Sequence, residues 1–474
     1  MRDFIIKNNY NWDEVRIMID FKQEVMNRKE ELLNDLKTLC QIPSVLDPST
    51  AGFNQPFGEA NRRVLDAMLA IGKRDGFEVD DVNGYAGHID IGEGEKTLGI
   101  LGHLDVVPAN VEGWTYPAYD MTIDGDFLYG RGVADDKGPL LAAYYGAKIV
   151  NEMDFDKKMK IRVIFGCAEE TGSDCVRHYF KVRPYPDLGF TPDAGFPVVY
   201  GEKALAKVNL SGDFEKDKLI GLYGGTAVNI VPAEAEAIVK GECRDYRDTF
   251  YPYLRKHGLE GDLEEEGNAT RLVVKGVSAH GSVPELGVNA IVYLCHYLNT
   301  VIDNEFVDFI DEYFYKDVTG EKIGIDCPGI MGHTSVNLGK IVYKNQHGVI
   351  NLDVRTSYEL AKEDFFNRID QWLKDSPFDK EINYENALYV DPESDLIQKL
   401  HRSYVEFTGD TTNGPTTMGG GTYAKEMPNC VAFGCEFPGR DNKMHQNDEL
   451  INLDELLTSA AIYAKAIYDL IKAD

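Results

Sequence analysis

Cysteine is sparse in this chain: 474 residues hold eight (Cys40, Cys167, Cys175, Cys243, Cys295, Cys327, Cys430 and Cys435), none in a C-x-x-C pair. A cysteine zinc cage is therefore not expected, and buried free thiols in a reducing cytoplasm explain them best. No stretch approaches the ~18 consecutive apolar residues that a membrane span needs. Met1-Arg2-Asp3-Phe4 runs into mixed polar residues with no apolar core and small-residue cleavage site, so no secretory leader is expected and a cytoplasmic location is. Basic residues are scarce too. Lys plus Arg total 49 against 79 Asp plus Glu, a net charge of −30. That field repels phosphate backbones and anionic lipid, which argues against nucleic-acid and membrane partners. It is equally the mark of a well-solvated surface. Internal repeats, low-complexity blocks and Pro/Ser-rich linkers are absent as well, so nothing marks a repeat array or tethered modules.

What is present is ordinary globular composition, at a length that suggests two large units or three of ~150 residues. The first forty residues read as helical, with Ile17, Phe21, Val25, Leu32, Leu33, Leu36 and Leu39 near a period of 3.6. A second helix is expected over 61–71 and a long one over 139–150, with Pro139 in its first turn. Short apolar runs at 97–102 and 161–165 read as strands buried on both faces, the second followed by a helix through Val176 and Tyr179. This alternation predicts an α/β layer around a central sheet. Beyond residue 200 the texture changes. Segments 206–210, 236–242, 270–275 and 349–354 read as antiparallel strands, with helices near 289–302 and 363–374 among them, and the last ninety residues return to α/β. The expected fold is thus a discontinuous α/β domain (1–197 and 387–474) interrupted by an α+β insertion (198–386).

Chemistry-bearing residues gather at the ends of the predicted strands. His103-Leu104-Asp105 follows the first strand, and alternate residues of a strand share a face, so imidazole and carboxylate are expected together where α/β sites gather. Gly130-Arg131-Gly132-Val133-Ala134-Asp135-Asp136-Lys137-Gly138-Pro139 sets two acids in a glycine-rich turn before a helix, where either acid could equally cap it. This is no dinucleotide fingerprint, because Asp135 stands where the last glycine belongs. Glu169-Glu170 follows the second strand, Pro192-Asp193 a third, and Met444-His445-Gln446-Asn447-Asp448-Glu449 supplies another histidine. Three carboxylates converging without cations would raise one another's pKa. Two dications resolve this: +4 against three carboxylates and one hydroxide balances. Mixed imidazole and oxygen ligands suit zinc, and also manganese or cobalt.

These motifs, in this order, resemble the co-catalytic metallopeptidases that include aminoacylase, carnosinase and carboxypeptidase G-type enzymes, most closely the bacterial dipeptidase V (Xaa-His dipeptidase) branch. The resemblance spans nearly the whole chain and implies two divalent metal ions. His103, Asp135 and Asp193 would hold one, and Asp135, Glu170 and His445 the other. Asp105 would orient His103, and Glu169 would be the general base. It further implies a cis peptide between Asp135 and Asp136 and a lid formed by the insertion. Ser278-Ala279-His280-Gly281-Ser282 looks like the lid motif whose histidine reaches the substrate carbonyl, with Asn229 as companion donor. Arg355 matches the arginine that clamps a substrate carboxylate, aided by backbone amides of Gly420 and Gly421. Arg355 could instead be a structural ion pair, and Gly419–Gly421 only a tight turn. The stretch 326–333 matches nothing assignable, and His88, His178, His257, His296, His333, His347 and His401 read as structural or solvated.

The implied reaction is hydrolysis of a dipeptide by a metal-bridging water, with Glu169 moving the proton and His280 and Asn229 donating to the oxyanion. The rival activities are N-acyl-amino-acid hydrolysis and noncatalytic binding of peptide or metal, the latter disfavoured by the retained Glu169. Members of the resembled family with a small lid pair through it and those with an enlarged lid are monomers, so the resemblance implies a monomer here.

Overall fold

The computed structural model describes residues 20–110 and 112–473. Two sheets organise them. The first has nine strands, in the order Glu78–Val82, Ala86–Ile91, Met159–Gly166, Lys96–His103, Leu188–Thr191, Cys430–Ala432, Val199–Glu202 and Leu388–Tyr389, with Thr416–Met418 also paired to Val199–Glu202. It is mixed. Lys96–His103 lies parallel to both of its neighbours, whereas the outer hairpin Glu78–Val82 and Ala86–Ile91 is antiparallel. The apolar runs at 97–102 and 161–165 are these central strands. Leu98, Ile100, Leu101, Val163 and Phe165 have at most 1% of their surface exposed, as expected for strands covered on both faces.

Helix Lys137–Glu152 starts two residues before the expected 139, with Pro139 in its first turn where a missing N–H costs no bond. It packs between Phe21–Cys40 and the C-terminal helix Leu453–Ile471. The helix expected over the first forty residues is found from Phe21, where the Asp20 side chain accepts the Gln23 N–H; the earlier part, with Ile17, lies outside the described residues. The helix expected at 61–71 runs Glu59–Arg74. Among the described residues, no helix is long and apolar enough to cross a membrane.

The second sheet has eight strands, all antiparallel, in the order Glu260–Glu266, Ala269–Lys275, Glu234–Lys240, Leu219–Gly224, Ser335–Lys344, His347–Thr356, Ala204–Asp213 and Asp379–Glu385. A separate apolar core, including Val208, Leu210, Phe250, Leu294, Phe306, Leu352 and Phe365, lies against one face. Strand Ala204–Asp213 alternates buried with less buried residues, as a sheet with one core face should. Two details depart from the sequence reading. The strand expected to end at 242 stops at Lys240, because Glu242 and Asp245 form a capping box that starts helix Cys243–His257. The sequence reading assigned no element over 243–257, and Pro252 sits inside this helix. The helix expected over 289–302 ends at Leu298, and Glu305–Phe314 follows as a separate helix capped by Asn304. All eight cysteines are free, and all but Cys327 are buried.

Candidate active site

Strand Lys96–His103 ends on His103, so its imidazole stands at the carboxyl edge of the sheet. The chain then leaves strand geometry, and the contact to Asp105 differs from the side-by-side pairing expected of alternate strand residues. His103 Nδ1 lies 2.9 Å from the Asp105 backbone oxygen and 3.5 Å from its carboxylate. The Asp105 carboxylate instead accepts the N–H groups of Glu169 (3.1 Å) and Glu170 (3.2 Å), fixing the loop that carries both acids. With Nδ1–H donated to the carbonyl, His103 Nε2 is the free ligand nitrogen.

Nε2 faces Asp135 Oδ1 at 2.9 Å and Asp193 Oδ2 at 3.7 Å. The other Asp135 oxygen, Oδ2, faces His445 Nε2 at 2.9 Å, and that nitrogen is also 3.2 Å from Glu170 Oε1. Asp135 therefore stands between the two imidazoles, with one oxygen turned to each. Among the described residues, two sets bring ligand atoms within 4.8 Å of one another: His103, Asp135 and Glu170, and His103, Glu169 and Asp193. The Asp135–Asp136 peptide is cis. Asp136 turns away from this cluster, and its Oδ2 accepts the His103 N–H at 3.0 Å.

The electrostatics are those of a site short of positive charge. Burial pushes the Asp193 carboxyl up to about 7, with Asp135, Glu170 and Glu202 adding to the rise. Burial, then Asp193, holds Glu169 well above the usual carboxylate range. Hydrogen bonds to Asp135 and Glu170 lift His445 to about 10, while burial of Asp135 is outweighed by the two histidines, which hold it low. Without cations the cluster is balanced only by protons; dications at the same oxygens would replace them. The donor set, two imidazoles with several carboxylates, fits zinc, manganese or cobalt.

Facing these acids is a cleft of about 460 Å³ whose lining includes Glu169, Glu170, Asn229, Arg355, Gly421 and Lys425. His280 and Gly420 are not among the lining residues, although the His280 loop is tied to Asn229 by a 2.7 Å bond from the Gly281 N–H. Arg355 is both buried and paired. Its Nε and Nη2 donate to Asp353, Nη2 at 2.9 Å, and its Nη1 donates to the Gly419 carbonyl at 2.7 Å. Since guanidinium has five N–H donors, one on each terminal nitrogen remains.

Three contributors to this site carried no assignment in the sequence reading. Asp353 is one; its spacing of two from Arg355 on a strand was the available signal. Lys425 is another, with Nζ donating to the Lys203 carbonyl at 2.6 Å. The third is Glu449, fully buried, which accepts from Arg131 (2.6 Å) and from the N–H groups of Gly132 (3.0 Å), Ala134 (3.0 Å) and Asp135 (3.2 Å). It moulds the loop that presents Asp135, in which Gly130 and Gly132 take φ of 150° and 91°. Burial, then Asp135, raises its carboxyl to about 7 against the pull of Arg131. Segment 326–333 is not among the cleft's lining residues: a tight turn bridges Gly329 and Gly332, Glu359 accepts the Ile330 N–H at 2.8 Å, and the His333 carbonyl accepts from Lys203, whose own carbonyl accepts from Lys425. His296 and His347 pair with Asp311 and Asp213, each at 2.8 Å.

A mixed α/β fold with acids and imidazoles crowded at the strand ends defines a metal-dependent hydrolase class, and comparison with known proteins agrees. The model of Peptidase family M20/M25/M40 matches residues 99–469. A Staphylococcus haemolyticus protein named "Putative dipeptidase" is 37% identical over 466 residues, covering 95% of this chain and 99% of that protein. A Staphylococcus epidermidis protein of the same name is 36% identical over 470 residues, covering 96% and 100%. Among solved structures, human carnosine dipeptidase 1 superposes with a TM-score of 0.54 at 14% identity over 95% of this chain and 98% of that one. Aminoacylhistidine dipeptidase from Vibrio alginolyticus does so with 0.56 at 13% identity, over 94% and 97%. This chain belongs to peptidase family M20/M25/M40. It is a metallopeptidase.

Proposed function

We propose that the protein is a dipeptidase that works with two divalent cations, one held by His103, Asp135 and Asp193 and the other by Asp135, Glu170 and His445. The observation carrying this reading is the split of Asp135, one oxygen 2.9 Å from each of two histidines, beside a cleft whose lining includes Arg355. The names of the 36–37% identical relatives support the dipeptide as substrate. Bound at these ligands, the cations would supply positive charge and Lewis acidity toward water and the peptide carbonyl.

The remaining work falls to side chains. Glu169 takes a proton from the attacking water and returns it to the departing amine. Asn229 and His280 donate to the oxygen that becomes negative, each worth roughly 2.7–4 kcal/mol in comparable sites. The two uncommitted N–H groups of Arg355 bind the free carboxylate of the substrate, with Asp353 and Gly419 holding the guanidinium plane. Backbone amides at Gly420 and Gly421 assist. The lid is the unit built on the second sheet; it starts after strand Val199–Glu202, which pairs within the first sheet, and so a few residues later than the 198 read from the sequence, and it must open and close for turnover.

The test is metal analysis of purified protein combined with rates on dipeptides and on N-acetyl amino acids. The reading expects about two dications per chain, loss of activity on exhaustive chelation, recovery with Zn²⁺, Mn²⁺ or Co²⁺, and preference for dipeptides. Preference for N-acetyl amino acids would move the assignment to an amidohydrolase. Metal binding with neither activity would leave a binding protein.

A further inference from the structure

The lid histidine has a partner that decides which of its ring nitrogens carries the proton. His280 Nδ1 lies 2.6 Å from the Ser282 hydroxyl and 3.3 Å from the Ser282 backbone nitrogen. A backbone N–H can only donate, so Nδ1 is the accepting nitrogen, and the hydroxyl hydrogen also turns toward it. The neutral imidazole then carries its proton on Nε2. Burial and the Arg355 guanidinium together hold the ring's pKa below its ordinary value, which favours that neutral form.

We propose that Ser282 is a positioning residue that locks His280 in the Nε2–H tautomer, so that the ring offers a donor to the scissile carbonyl oxygen. The direction matters because the other tautomer would aim a lone pair at developing negative charge, converting attraction into repulsion. The surroundings keep Ser282 in place. Gly281 N–H donates to the Asn229 carbonyl (2.7 Å) and Val231 N–H to the Ala279 carbonyl (2.9 Å), joining the two donor loops. Buried Asn337 adds bonds from its amide to the carbonyls on both sides of Asn229, Val228 at 2.8 Å and Ile230 at 3.0 Å. A Cβ at Gly419 would lie 3.0 Å from the Ser282 Cβ, so a side chain there would press the serine loop back by a few tenths of an ångström.

This inference rests on the dipeptidase reading for its catalytic meaning, but not for its chemistry. The test uses the full chain with ¹⁵N-labelled histidine. Long-range proton–nitrogen correlation reports which ring nitrogen is protonated in each of the ten histidines, and His280→Gln identifies the signal. Wild type is expected to show His280 as Nε2–H. Ser282→Ala leaves Nδ1 only the long 3.3 Å backbone N–H, and should mix the tautomers and lower kcat on a dipeptide about fivefold, the worth of the lost hydroxyl bond, with KM unchanged; Ser282→Thr should restore both. A wild-type ring protonated at Nδ1, or a tautomer unmoved in Ser282→Ala, overturns the proposal. A tautomer that mixes while kcat stays constant supports the hold of Ser282 and refutes the role of His280 instead.

Discussion

Removing the Glu449 carboxylate tests whether the loop presenting Asp135 is held from outside the metal ligands. Glu449 is fully buried, Arg131 is 2% exposed, and Arg131 Nε has no hydrogen-bond partner among the described residues. Glu449→Ala therefore strands a buried guanidinium and takes the shared acceptor from three N–H groups. Breaking a buried pair from one side costs about 3–5 kcal/mol. Glu449→Gln keeps one carbonyl oxygen for the three loop N–H groups but loses the charge and turns an NH2 donor toward Arg131 where Oε2 accepted, so about 1.5–3 kcal/mol is expected. Arg131→Met combined with Glu449→Gln should be more stable than Glu449→Gln alone, because it removes the stranded charge. The assay is urea unfolding of the metal-free chains at pH 8, above the value of about 7 to which burial raises this carboxyl. A second readout is competition with a chelator, in which Glu449→Gln should weaken metal binding about 10–100-fold through a displaced Asp135. If Glu449→Ala unfolds within about 0.5 kcal/mol of wild type, or the double variant is no better than the single one, the reasoning fails.

Glu169→Gln should keep its metals by elemental analysis while kcat falls about 10²–10⁴-fold, and normal turnover would remove Glu169 as the base. Arg355→Ala should raise KM about 10–100-fold for dipeptides with a free carboxylate, the range of a charge-assisted hydrogen bond. It should leave KM for their amides unchanged; equal effects on both would take Arg355 out of carboxylate recognition. His88 gives a pH dependence remote from the site. Burial, then Arg162, lowers its pKa to about 4, below the ordinary 6.5. The unfolded chain therefore binds the extra proton first. The contribution of the neutral ring is complete above about pH 6.5 and is lost as pH falls toward 4, about 3 kcal/mol in all. In His88→Gln this part of the slope should vanish, and a wild-type-minus-variant difference independent of pH would contradict the assignment.

Taken by itself, the sequence determined the features whose signals are local. Apolar runs bounded by glycine and acid marked the central strands, Pro139 marked a helix start, and the acids stood out because His103-Leu104-Asp105, Glu169-Glu170 and Asp193 each follow a strand while Asp135 stands in a glycine-rich turn before a helix. Family membership was legible for the same reason, since each motif is a short string. Helix Cys243–His257 carried no assignment in the sequence reading, and it holds Pro252 in its interior, where local propensity disfavours a helix.

What only the tertiary structure decided are relations between residues far apart in the chain. Glu449 lies 318 positions from Arg131, so no spacing rule couples them. Only folding shows which oxygen of Asp135 faces which imidazole, or that the Asp105 carboxylate serves the Glu169–Glu170 loop while its carbonyl serves His103. The direction of a hydrogen bond depends on ångström-scale placement of donor and acceptor, which residue order does not encode locally.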